Sequence, residues 1–271
     1  MNTLSLFLLQ IILSLSMFVT GWFVPAPKHS PHHLSPTKSS AQAPKSTDLE
    51  GAWQLVSNSR NGQQATNALL LADGFFTVAQ FDLAGKKFLG TYGGTYQLDG
   101  GKLTAKYEFN TFDSTKVGTA VTGSYVQKNG KWQLQMRSGN NGSTLTWEKM
   151  PVKNTSSPLA GAWRISQREG QDGQMNQMVP GPRKTIKVLT ADRFQWIAFN
   201  SQTGGFFGTG GGTYTAQNGK YTEQLEFFSR DNNRVGMSLS FNFAMQDGRW
   251  HHSGLSSTGG KVNEVWQRLS K

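Results

Sequence analysis

The chain contains 271 residues, 31 of them glycine and none cysteine, with 27 lysine and arginine residues against 16 acidic ones. The missing cysteines exclude disulfides, thiolate nucleophiles and cysteine-ligated zinc or iron–sulfur sites. Only 16% of the residues are charged, which argues against helical bundles, and the abundant glycine favours short strands joined by turns. The length allows one large domain or two small ones, each able to bury a core.

The first 24 residues carry no charged side chain, and residues 4–19 form a nearly continuous apolar run. Such a run is typical of a secretory signal peptide. Residues 3–24 are also long enough to cross a bilayer as a helix, since about 20 residues suffice. We therefore expect a secreted or periplasmic protein, with residues 1–24 acting as a cleaved signal peptide or as a retained membrane anchor.

Residues 25–47 are predicted to form a disordered linker, because proline alternates there with serine, lysine and histidine and nothing can bury apolar surface. His29, His32 and His33 are interpreted as solvated residues of this tether, since a flexible metal site would order poorly. The sequence predicts no metal site and no cofactor.

The positive charge is dispersed along the chain. The formal net charge is +11, the linker contributes three lysines and no acid, and no basic run exceeds two residues. Nucleic acid binding would need a clustered basic stripe, so no nucleic acid partner is predicted. A general attraction to an anionic envelope surface is the more modest expectation.

An internal repeat divides the rest of the chain into two copies of one domain, predicted to span residues 48–152 and 159–271. The copies open with Leu49-Glu-Gly-Ala-Trp53 and Leu159-Ala-Gly-Ala-Trp163. Further matches follow in the same order: Ala72–Phe75 with Ala191–Phe194, Gly93–Tyr96 with Gly211–Tyr214, Glu108 with Glu226, Trp132 with Trp250, and Trp147 with Trp266.

Each copy is predicted to be all-β, because apolar and polar residues alternate with the period of two that is typical of half-buried strands. Asn-Gly and Asp-Gly pairs between these runs favour type I′ hairpins. The predicted turns include Asn141-Gly142, Gly204–Gly205 and Gly210–Gly212. We predict two tandem antiparallel up-and-down β-barrels of about eight strands each, with open sandwiches as the alternative.

The opening Leu-x-Gly-x-Trp motif resembles the Gly-x-Trp start of lipocalins and lipocalin-like domains. The Gly-Gly-Thr-Tyr and Val-Gly motifs and the closing Glu264-x-Trp266-x-Arg268 are similar to those of uncharacterised secreted bacterial lipocalin-like domains. The resemblance covers nearly all of the second copy and less of the first. It implies a barrel with a small-molecule pocket, and it brings no catalytic residues.

Three positions distinguish the two copies chemically: Glu223, His252 and Glu264 align with Ala105, Leu134 and Leu145. If the aromatic faces of these strands point inward, the second lumen is polar and the first is apolar and filled. Buried carboxylates need partners, so the three residues would form a shared site; in the opposite orientation they would be solvated. The predicted ligand-binding residues are Glu223, His252, Glu264, Trp250, Trp266 and Trp196.

The leading hypothesis is therefore an exported, non-catalytic protein that binds a small, partly apolar molecule in the second barrel. A carbohydrate-binding or structural envelope module is the alternative, in which exposed aromatic residues stack on sugars; the candidates are Phe88, Tyr92, Phe206, Phe207 and Phe228. A glycosidase is a third hypothesis, because the glutamate pair Glu223 and Glu264 could supply the two carboxyl groups that such an enzyme needs about 5–9.5 Å apart. No catalytic residue is assigned.

Overall fold

The structure, a computed structural model, describes residues 49–56, 65–138 and 141–269, and these are almost entirely β-strand. The predicted signal or anchor segment and the linker lie outside the described residues. Among the residues described, no helix is long and apolar enough to cross a membrane.

The first copy contains eight strands: β1 (Gly51–Leu55), β2 (Thr66–Ala72), β3 (Phe75–Asp82), β4 (Lys87–Asp99), β5 (Lys102–Asn110), β6 (Ala120–Lys128), β7 (Lys131–Ser138) and β8 (Asn141–Lys149). The second contains nine: β9 (Gly161–Glu169), β10 (Met175–Gln177), β11 (Arg183–Leu189), β12 (Arg193–Asn200), β13 (Phe206–Gln217), β14 (Lys220–Phe228), β15 (Ser238–Gln246), β16 (Arg249–Leu255) and β17 (Lys261–Arg268).

Both copies form closed up-and-down barrels, as predicted, and not open sandwiches. Consecutive strands pair antiparallel, β1 closes on β8, and β9 closes on β17. The short β10 is an addition that pairs with the far half of β9, so eight strands make the wall of the second barrel too. Closure pairs the sheet edges that an open sheet would expose.

Several hairpins have the predicted type I′ geometry. Asp73-Gly74, Asn129-Gly130, Asn218-Gly219 and Asp247-Gly248 have φ angles between 49° and 76° at both residues. The turn prediction is wrong at Asn141-Gly142, which begins β8 and pairs with Ser138 and Arg137.

The glycine cluster Gly210–Gly212 lies within β13, so its assignment to a hairpin turn is also wrong. A β-bulge falls between Gly211 and Gly212. A Cβ atom at Gly211 would clash with the ring of Phe227 and the carbonyl of Phe194. The cluster therefore serves close packing at a bend of the strand, a use of glycine that resembles a turn in sequence.

The register of the strands corrects the alignment of the two copies. Leu71 pairs with Gly51 and with Phe76, and Leu189 pairs with Gly161 and with Phe194. Phe194 therefore corresponds to Phe76 and not to Phe75, so that stretch of the sequence alignment is one residue out of register. From β2 to β7, corresponding residue numbers differ by 118.

A buried tryptophan closes one end of each barrel. The indole nitrogens of Trp53 and Trp163 each donate to a backbone carbonyl four residues earlier, Leu49 and Leu159, at 2.9 Å. Both rings are at most 1% exposed. The repeated opening motif is thus a plug that closes one end of each barrel.

The barrels pack against each other through outward-facing side chains that form one shared apolar cluster. Phe81 contacts Phe227 and Phe109 contacts Phe199, both with ring centroids 4.9 Å apart. Phe81 and Phe199 are corresponding residues, as are Phe109 and Phe227. The two contacts are therefore equivalent, and the interface has the isologous pattern of an approximate two-fold dimer.

Candidate functional site

The lumen of the second barrel contains a cavity of about 570 Å³, within the range of small-molecule sites. Its outer lining includes the exposed Arg168 and Arg183, where β9 ends and β11 begins, opposite the Trp163 plug. The first barrel has a lumen cavity of only about 140 Å³, lined by apolar and tyrosine side chains. The polar and apolar lumens predicted from the sequence are thus present, although the apolar one is not completely filled.

A buried ion pair lies in the interior of the second lumen. Lys187 Nζ is 3.0 Å from Glu223 Oε1, and the two side chains are 6% and 5% exposed. The hydroxyl of Tyr221 donates to the same carboxylate oxygen at 2.9 Å. The ammonium also lies 4.9 to 5.3 Å from the ring centroids of Tyr221, Trp250 and Trp266, so a carboxylate and three aromatic rings together compensate its charge.

A second carboxylate, Glu264, accepts hydrogen bonds on both oxygens. Arg168 donates to Oε1 at 2.6 and 3.1 Å, and the indole of Trp266 donates to Oε2 at 3.1 Å. Burial alone would raise the pKa of Glu264, but His252, Arg168 and Lys187 outweigh it and lower the pKa from 4.5 to about 2. Glu264 is therefore an ionised acceptor and not a proton donor at neutral pH.

His252 packs against the ring of Phe241, with the two ring centroids 4.3 Å apart. Its Nδ1 is 3.5 Å from Glu264 Oε2, and within the described part of the chain neither ring nitrogen has a hydrogen-bond partner. Burial, followed by the charge of Lys187, lowers its pKa below 6.5. The imidazole is thus neutral at physiological pH and completes a tight, largely pre-formed polar floor.

The structure brings the six candidate residues to one end of one barrel. Glu223, His252, Glu264, Trp266 and Trp196 line the cavity. Trp250 lies beneath them, fully buried, against Tyr221 and His252. The three polar residues do not face solvent, because each of them is at most 8% exposed. The alternative orientation of these strands is therefore wrong. That they bind a ligand stays a prediction.

Sequence reasoning missed Lys187 and Tyr221, the partners of Glu223. They correspond to Leu69 and Leu103, so both exchange an apolar residue for a polar one, the signal that identified the other three. Lys187 alternates with Ile186 and Val188, whose apolar side chains pack against the first barrel, so the strand pattern indicates a solvent-facing lysine. Arg168 could not be found this way, because the spacing of the opening motifs aligns it with Asn58, which is already polar.

The aromatic residues of the carbohydrate hypothesis do not form an exposed row. Phe88 stacks on Phe206 between the barrels, with centroids 6.3 Å apart. Tyr92 lines the first lumen, and Phe207 and Phe228 line the second cavity. Aromatic residues placed around cavities are the arrangement expected of a small-molecule binder and not of a flat glycan-binding surface.

Acidification is expected to lower the free energy of unfolding in two stages. The folded pKa of His252 lies below 6.5, so its contribution is complete above that pH and is lost as the pH falls below it. Glu264 contributes above pH 4.5 and loses its contribution between pH 4.5 and 2, on the order of 3 kcal/mol. Urea unfolding at several pH values measures both stages, and His252→Leu should flatten the first; an unchanged first stage would contradict the assignment.

The two closed eight-stranded barrels, each opened by a Gly-x-Trp plug, have a tandem lipocalin-like fold. Residues 158–271, the second barrel, match the family described as a domain of unknown function (DUF4488). No curated protein matches the chain.

Solved structures that are similar to the chain include the following three. A lipocalin-like protein from Bacteroides uniformis is 15% identical, with a TM-score of 0.30, over 42% of this chain and 100% of its own. An uncharacterised protein from Saccharomyces cerevisiae is 10% identical, with a TM-score of 0.44, over 81% of this chain and 98% of its own. The vaccine antigen transferrin binding protein B from Haemophilus parasuis is 8% identical, with a TM-score of 0.22, over 79% of this chain and 62% of its own.

Proposed function

We propose that this protein binds a small, partly apolar molecule in the lumen of the second barrel, without catalysis. The observation that carries the proposal is the cavity of about 570 Å³, open at one end and floored by the polar residues Lys187, Glu223, His252 and Glu264. A binding site of this kind combines a concave, mostly apolar wall with a few fixed polar groups.

The wall supplies surface for the apolar part of the ligand. Trp196, Phe228, Leu239, Phe241 and Val262 line it, and Trp196 packs on the edge of Phe228 with centroids 5.8 Å apart. The ion pairs in the floor hold their side chains in place before a ligand arrives, which lowers the entropic cost of binding.

We propose that binding takes place outside the cytoplasm. The support is the uncharged, apolar segment of residues 1–24, which has the character of a signal peptide or membrane anchor. The dispersed positive charge of the chain is compatible with an anionic envelope surface.

Native mass spectrometry of the purified chain, after incubation with a cell extract, tests the proposal directly. We expect a small-molecule adduct on the wild-type protein, and its loss in Ala198→Trp, which places an indole in the cavity that Ala198 lines. The matched control is Ala84→Trp, at an exposed turn of the first barrel, which should retain the adduct. Absence of any adduct, or an adduct that survives Ala198→Trp, would contradict a site in the second lumen.

A further inference from the structure

Two arginines at the open end of the second cavity have no acidic partner within the described residues. Arg183 and Arg230 both line the cavity and both are exposed. The other charged groups of the lining are compensated: Lys187 by Glu223, Arg168 by Glu264, and Arg234 by Asp231. The charge left over at the cavity mouth is therefore positive.

Both guanidinium groups are oriented by one residue, Phe207. The Arg183 guanidinium carbon lies 4.3 Å from the centroid of the Phe207 ring. Arg230 donates to the Phe207 carbonyl from Nε at 3.0 Å and from Nη2 at 2.7 Å. The Arg230 guanidinium occupies the space that a Cβ atom on Gly208 would need. Glycine at position 208 therefore allows Arg230 to pack on strand β13.

The first barrel lacks this arrangement. The residues that correspond to Arg183 and Arg230 are Ala65 and Phe112, and the ring of Phe112 covers Gly90, the counterpart of Gly208. The basic pair thus occurs in the barrel with the larger cavity and is replaced by apolar residues in the barrel with the small one. A role confined to folding would not explain this difference, since both barrels have the same fold.

We infer that the ligand of the second barrel is an amphipathic organic anion, whose negative group is held by Arg183 and Arg230 and whose apolar body lies against Trp196 and Phe228. This inference rests on the proposed function. Planar guanidinium groups bind carboxylate, sulfonate or phosphate oxygens in pairs of hydrogen bonds. The ring of Trp196, which lies 5.9 Å from the Arg230 guanidinium carbon, connects the charged mouth to the apolar wall.

Two fluorescent probes that differ in one group test the inference: anilinonaphthalene sulfonate, and N-phenylnaphthylamine, the same ring system without the sulfonate. We expect the wild-type protein to bind the sulfonate at least about tenfold more tightly, with an affinity that falls as salt is raised. In Arg183→Gln/Arg230→Gln this preference should disappear while the neutral probe binds as before. That retained binding also shows that the variant is folded.

The controls separate charge at the mouth from charge elsewhere. Lys128→Gln/Arg249→Gln removes two exposed charges outside the cavity and should keep the preference. If the double variant is unstable, Arg183→Gln alone takes its place, because the contact of Arg183 is with the ring of Phe207. This single variant should also reduce the preference for the sulfonate. Sodium sulfate should compete no better than sodium chloride of equal ionic strength, because an inorganic anion lacks the apolar body.

Two sets of results would contradict the inference, and they differ in whether the proposed binding site is retained. Equal affinity for both probes, a preference that survives the double arginine exchange, or specific competition by sulfate would overturn the amphipathic anion and leave the binding site intact. Binding of either probe that is unchanged in Ala198→Trp, or no binding at all, would overturn the proposed function together with the inference.

Discussion

Replacing Glu223 with alanine is expected to lower the free energy of unfolding by about 3–5 kcal/mol, because it leaves a buried charge without its partner. Lys187 is 5% exposed, and Glu223 is its one ion-pair partner within the described residues. Tyr221 would lose the acceptor of its hydroxyl in the same substitution. Urea unfolding followed by tryptophan fluorescence measures the loss.

The first barrel indicates the substitution that should reverse this loss. Its corresponding residues are Leu69 and Ala105, so Lys187→Leu/Glu223→Ala reproduces an apolar pair that the fold already accommodates. We expect the double variant to recover most of the lost stability, since well-packed apolar residues often match a buried ion pair. The exposed pair Lys131–Glu148 is the control, and Glu148→Ala should cost less than about 1 kcal/mol. A double variant no more stable than Glu223→Ala would contradict the explanation.

The same reasoning determines which residues of the second barrel must be replaced together when its polar lumen is converted to that of the first barrel. Transferring the first-copy residues to positions 223, 252 and 264 removes both carboxylates but leaves Lys187 buried among apolar side chains. A matched exchange has to include Lys187→Leu, because burying an isolated ammonium is far costlier than burying a compensated one.

The second barrel expressed alone, as residues 159–271, is expected to fold and to form a homodimer. Its outward face would expose Ile186, Val188, Ile197, Phe199 and Phe227, which pack against the first barrel in the full chain. A second copy can cover this face, because the existing contacts are already related by an approximate two-fold axis. Phe199 of each copy would then pack on Phe227 of the other, as Phe109 and Phe199 do now.

Analytical ultracentrifugation of this fragment measures the association. Phe227→Glu places a charge in the centre of the apolar face and should yield a monomer, whereas Lys220→Glu, at the exposed first residue of β14, should leave the dimer intact. A fragment that is a stable monomer at high concentration would show that the shared apolar cluster is not needed to cover this face.

The repeated motifs and the period of two were sufficient to predict two tandem barrels, because closed sheets impose local patterns. Strand alternation, type I′ pairs such as Asn218-Gly219, and the Leu-x-Gly-x-Trp plug each depend on residues close together in the chain. The glycines of β13 were misread for the same reason. A bulge and a turn use glycine alike, and only the ring of Phe227, from another strand, distinguishes them.

The candidate site was predictable only where the two copies could be compared position by position. Glu223, His252 and Glu264 were found as exchanges against apolar residues. Lys187 was missed because its neighbours Ile186 and Val188 are the apolar residues of the strand, and only the structure shows that they face the other barrel while Lys187 faces the lumen.

Tertiary structure alone decided which charges compensate one another and which remain. Arg168 contacts Glu264 although 96 residues separate them in the chain. Arg183 of β11 and Arg230, which follows β14, both contact Phe207 of β13. The shared face of the two barrels was likewise invisible, since an outward-facing phenylalanine follows the same period of two as one that faces the lumen. Composition and period determine which elements form, while the pairing of distant strands determines which side chains share a lumen and what charge is left at its mouth.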